Sequence, residues 1–60
     1  MSINTIRKIL RKTFGDRQYH ITAAGEIHVH GVMPNTNQTG WYLFGWLNDA
    51  QTEARINDYQ

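Results

Sequence analysis

The stretch from Gln18 to His30 constrains the chain most, because it is built as a mirror around Ala23-Ala24-Gly25. Before that centre Tyr19 and Ile21 alternate with Gln18, His20 and Thr22; after it Ile27 and Val29 alternate with Glu26, His28 and His30. Alternation of this kind is what a half-buried strand requires, since successive side chains point to opposite faces. A three-residue connection ending in glycine suits a type I turn followed by a residue at positive φ. Residues 17–32 are therefore predicted to form a hairpin with Thr22 facing Glu26. That register pairs Ile21 with Ile27, His20 with His28 and Tyr19 with Val29. A slip of one residue would mix apolar and polar faces, so the pattern selects its own register.

On the N-terminal side the period changes. Ile3, Ile6, Leu10 and Phe14 recur at the spacing that stacks side chains on one face of a helix, and Ile9 widens the stripe. Residues 2–14 are expected to be helical, with Ser2 or Asn4 as N-cap and Gly15 as the stop. On the C-terminal side Met33 to Gly40 has no periodicity and is rich in Pro, Asn and Gly, so it is expected to be a loop. Trp41 to Leu47 reads as a third strand, with Trp41, Leu43 and Leu47 on one face and Tyr42, Phe44 and Trp46 on the other. Asn48 followed by Gln51 resembles a capping box, which predicts a second helix from Asp49 to about Asn57 with a thin apolar face of Ala50, Ala54, Ile56 and Tyr59.

These elements predict an α+β fold in the order αβββα: an N-terminal helix packed on a three-stranded antiparallel meander, then a short C-terminal helix. The first helix is expected to cover the sheet face bearing Tyr19, Ile21, Ile27 and Val29. Sixty residues without repeat or linker make a single domain, 1–60. The chain has no cysteine, which excludes disulfides, thiolate zinc sites and a cysteine nucleophile. Oligomerisation, a histidine metal site or docking on a partner remain as supports for so small a core. A net charge of +1 gives no strong overall field towards nucleic acid or membrane. No apolar run approaches the length of a membrane-spanning helix and no signal-peptide pattern opens the chain, so a cytoplasmic protein without membrane contact is expected.

Candidate functional residues lie where one helix cannot cover both faces of a sheet. The second face is expected to carry His20, His28, His30 and one aromatic row of the third strand. Tyr42, Phe44 and Trp46 are assigned to that contact surface, with Asn35 and Asn37 at its edge, because exposed aromatics beside polar groups are typical interface anchors. An aromatic row is equally what a small core needs, and one of the two rows must serve as core. The same three histidines, with Cβ atoms about 5–7 Å apart, are also the donor type for a zinc ion, although Glu26 is the single nearby carboxylate. Arg7, Lys8, Arg11 and Lys12 on the first helix, with Arg17 after it, form a basic stripe suited to phosphates or simply to solvent.

No paired carboxylates, phosphate loop, nucleotide motif or Ser/His/Asp set is present, so neither enzyme activity nor a cofactor is expected. The segment Gly25-Glu26-Ile27-His28-Val29-His30-Gly31, with Met33-Pro34-Asn35-Thr36 and Gly40-Trp41-Tyr42, resembles a core found in short uncharacterised proteins of phages and other mobile elements. The resemblance spans about a third of the chain and assigns no chemistry. It implies a small accessory protein made in a bacterial cytoplasm that blocks or redirects a host protein or ribonucleoprotein complex, CRISPR effectors among them. The alternatives are a nucleic-acid-binding module that uses the basic N-terminal helix and the three-histidine metal site; among partners a second copy of the chain, giving a homodimer, is also an expectation. The helix–sheet–helix order is also similar to that of HicA-type RNA-directed toxins, with His28 or His30 as acid or base and Arg17 and Lys12 on phosphate, but the Gly-Ser-His segment is missing.

Overall fold

The computed structural model describes residues 1–60 and orders them as α1 (Ile3–Phe14), β1 (Tyr19–Ile21), β2 (Glu26–Val32), β3 (Thr39–Trp46) and α2 (Ala50–Asn57). The strands form one antiparallel sheet in the order β1-β2-β3, which gives the expected αβββα fold. Both helices lie on the same face of that sheet. Ile6, Ile9 and Leu10 of α1 and Ile56 of α2 enclose Ile27, Val29 and Phe44 of the sheet, and these residues are the buried core.

The Ser2 hydroxyl caps α1 by accepting from the Thr5 amide at 3.2 Å. Gly15 stops the helix at φ +119, and its N–H donates to the Arg11 carbonyl at 2.9 Å. The apolar stripe is shorter than its spacing suggests, because Ile3 lies at the open first turn and stays 40% exposed.

The first hairpin has the expected register: Tyr19 with Val29, His20 with His28 and Ile21 with Ile27. Its turn is closed by the Gly25 amide donating to the Thr22 carbonyl at 3.0 Å, with Gly25 at φ +91. Thr22 and Glu26 then exchange two bonds: the Thr22 N–H donates to the Glu26 carbonyl at 2.9 Å, and the Thr22 hydroxyl accepts from the Glu26 N–H at 3.0 Å.

The second hairpin departs from expectation. Its loop covers only residues 33–38, because Gly31 pairs with Gly40 and Val32 with Thr39. The Met33 N–H donates to the Gln38 carbonyl at 2.9 Å and closes the loop. Further along, Ile27 pairs with Gly45 but His28 pairs with Leu43, so Phe44 is an extra, unpaired residue in β3. This bulge breaks the simple alternation. Tyr42 and Phe44 face the helices, whereas Trp46, opposite Glu26, crosses to the other face and joins Trp41 and Leu43.

Contact with α2 explains the bulge. A Cβ at Gly45 would overlap the side chain of Thr52, which is 1% exposed. Thr52 Oγ1 accepts from the Trp46 N–H at 3.2 Å and donates to Asp49 Oδ2 at 2.8 Å; the Thr52 N–H donates to the same carboxylate at 2.9 Å. These bonds hold the Asp49 carboxyl below its ordinary pKa. Asp49 is therefore the N-cap, one residue later than the expected Asn48. Asn48 instead makes the corner at φ +62. The buried face of α2 is correspondingly Thr52 and Ile56, while Ala50 and Ala54 are exposed.

Candidate functional site

With both helices on one side, the other face of the sheet has no cover. It carries Glu26, His28, His30 and Val32 of β2, His20 of β1 and Trp41, Leu43 and Trp46 of β3. The apolar members are well exposed: Val32 63%, Trp41 51%, Leu43 42% and Trp46 49%. Trp41, Leu43 and Trp46 form a stripe along β3, Val32 stands at the end of β2, and the imidazoles occupy the rest of the β1–β2 half.

Each histidine has a different neighbour. His28 Nε2 lies 3.4 Å from Glu26 Oε1, with the two side chains 35% and 45% exposed, so this contact is weak in water. The His30 ring stands edge-on to Trp41 at 5.5 Å between centroids. His20 is exposed opposite His28. No three His, Asp or Glu side chains are placed to share one ion, which corrects the three-histidine metal reading. Sharing a sheet face does not make rings converge when carboxylate and indole each take one of them.

The aromatic assignment also needs correction. Phe44 is 4% exposed and packs edge-on to Phe14 at 6.0 Å, with the Arg55 guanidinium carbon 4.5 Å from its ring centroid. Tyr42 is half-buried on the same inner side; its hydroxyl titrates above the ordinary tyrosine range, chiefly because burial disfavours the phenolate and also because Tyr59 is near. Neither ring belongs to the bare face. Trp46 does, together with Trp41 and Leu43, which the sequence reading left out. Trp41 and Leu43 lie opposite His30 and His28, so the β2–β3 register places them, and Gly45 is the signal for the turn of Trp46, since a glycine inside a strand often marks a bulge or a close approach. Asn35 and Asn37 are exposed in the 33–38 loop, next to the Val32–Thr39 end of the face.

The C-terminal half of β3 is tied down by α2. Arg55 donates to the Phe44 carbonyl, and Thr52 Oγ1 takes the Trp46 N–H. No such side-chain bond reaches the backbone of Thr39 to Leu43.

The basic residues lie elsewhere. Arg7, Lys8, Arg11 and Lys12 are all exposed and occupy an arc of about 140° on α1, opposite Ile6, Ile9 and Leu10. The ion pairs of the molecule are the N-terminal amine with Glu53 at 3.7 Å and His28 with Glu26, so none of these cations has a carboxylate partner. Arg17 is also unpaired and stands at φ +64 between α1 and β1. It borders two hollows. One crosses the bare face, has a volume of about 730 Å³, and is lined by Arg17, Tyr19, His20, Thr22, His28 and Trp41. The other turns back towards α1 and is lined by Arg7, Asp16, Arg17, Tyr19, His20 and Ile21.

No helix is long and apolar enough to cross a membrane. No family model, curated protein or solved structure matches the chain.

Proposed function

We propose that the protein is a non-catalytic binding protein, of the kind carried by phages and mobile elements, that occupies a surface of a host macromolecular complex as an inhibitor or regulator. The working surface is the bare sheet face, with Trp41, Leu43 and Trp46 as anchors and His20, His28 and His30 beside them. One observation carries this reading: three large apolar side chains stand about half-exposed on one sheet face while both helices cover the other. Contiguous apolar exposure of this kind is uncommon on small monomers and marks contact sites. Tryptophan is also the residue type most enriched among side chains that dominate binding energy. The test is affinity purification from a bacterial lysate with wild-type protein and with Leu43→Ser and Trp46→Ala variants checked for fold by circular dichroism. A stoichiometric partner held by the wild type and lost by both variants is expected. Equal retention by the variants, or no partner at all, overturns the proposal.

A further inference from the structure

The hollow between Arg17 and Trp41 has walls that a purely apolar protein contact does not require. A guanidinium without a carboxylate partner stands at the β1 side and a half-exposed indole at the β3 side, with His20 and His28 between them. Its volume of about 730 Å³ falls within the range of ligand-binding clefts, yet it is open rather than enclosed. An open trough suits a chain that passes through it.

We infer that this trough binds a single-stranded nucleic acid, with a base stacked on Trp41 and the adjoining phosphate on Arg17. The ligand must offer a planar apolar ring and a negative charge within one unit, and a nucleotide does so. Stacking on aromatic side chains combined with a cationic track is the general mode of single-strand recognition. In a duplex the base faces are already occupied by their neighbours, so an unpaired strand is required. The second hollow lengthens the track: it shares Arg17, Tyr19 and His20 with the first and adds Arg7, which accommodates the next phosphate. Asp16 is the one carboxylate on that path, and it is ion-paired with neither arginine.

Arg17 supplies an independent pointer. Its φ of +64 is a conformation that non-glycine residues adopt at a cost, and arginine is not among the types that tolerate it best. Backbone held this way is a starting point for a functional hypothesis because conformations of this cost cluster at binding and catalytic sites. His30, packed edge-on against Trp41, similarly limits the orientation of the indole.

This inference goes beyond the protein contact proposed above, and Leu43 and Trp46 lie outside the trough. Fluorescence anisotropy with labelled oligothymidylate, oligouridylate, a hairpin duplex and a competing mononucleotide tests it. The single strands should bind in preference to the duplex, and the mononucleotide should compete poorly because it spans only part of the track. Trp41→Ala should weaken binding by about 5- to 150-fold, whereas Trp41→Phe should retain most of it. Arg17→Asn keeps a residue that accepts positive φ and should make the log–log salt slope shallower by about 0.7, the share of one phosphate contact on a single strand. Trp46→Ala should leave oligonucleotide binding unchanged even where it abolishes capture of a protein partner, so the two proposals fail separately. Wild-type protein that binds no oligonucleotide, prefers duplex, or is displaced equally well by a mononucleotide overturns the inference. So does unchanged binding by both Trp41→Ala and Arg17→Asn.

Discussion

In the β1–β2 hairpin every residue from Tyr19 to Ile21 meets the partner that a two-residue period assigns, whereas in the β2–β3 hairpin the pairing shifts between Ile27 and His28. The two hairpins share β2, so the difference arises in what their outer strands touch. β1 is three residues long and is governed by its turn. β3 is eight residues long and runs against the first turn of α2, where Thr52 occupies the space that a side chain at position 45 would need. Turn chemistry sets the first register, and the packing of the strand against the helix that follows it sets the second.

The largest expected effect separates Phe44 from Trp46, which an unbroken alternation would put on one face. Phe44→Ala should cost about 3–5 kcal/mol, as for a buried phenylalanine. Trp46→Ala, at a half-exposed position, should cost far less, and urea midpoints of the two variants measure the gap. Equal losses would mean that the bulge is absent in solution. Next is Gly45→Ala, expected to lose about 1–3 kcal/mol through overpacking on Thr52. Combining it with Thr52→Ala should destabilise by less than the sum of the single changes, since the second substitution removes most of the clash. Strict additivity would show that Thr52 does not dictate the bulge.

A smaller effect is expected in the first hairpin. Gly25→Ala places a Cβ at φ +91 and should cost about 1 kcal/mol in thermal or urea unfolding, without altering the β2–β3 pairing seen by NMR. The smallest effect is that of acid on Asp49. Its carboxyl is held below the ordinary value by two bonds from Thr52, so its stabilising effect is present above the unfolded pKa of about 3.9 and disappears as pH falls through the lower folded value. Asp49→Asn should flatten that part of the stability–pH curve, and an unchanged acid limb would count against the cap.

The helix-sheet-helix order, α1 and the β1–β2 register were all legible in the sequence, because each rests on a period or turn contained within a dozen residues. So was the placement of His20, His28 and His30 on a common face, which follows from the register alone. The β3 phase, the Asp49 cap and the Thr52–Ile56 face of α2 were not. All three belong to a single junction in which Gly45, Trp46, Asp49 and Thr52 satisfy one another, and no periodic rule spans a strand, a corner and a helix start. That junction turns Trp46 to the outer face, while Trp41 and Leu43 take it by pairing opposite His30 and His28, so the aromatic row 42, 44, 46 does not stay together. The metal reading failed for a different reason: pattern assigns a side chain to a face, but its neighbours decide where the ring turns.

The Arg55 bond to the Phe44 carbonyl and the Thr52 bond to the Trp46 amide have a consequence for self-association. An uncharged aromatic strand at the border of a sheet is the usual template on which further copies stack into fibres. Here an incoming chain would find rungs vacant only as far as Leu43, and those beyond already taken by the protein's own helix. At the opposite border β1 offers just three residues. A continuous ribbon would therefore have only the Thr39–Leu43 stretch on one border and three residues on the other to grow from.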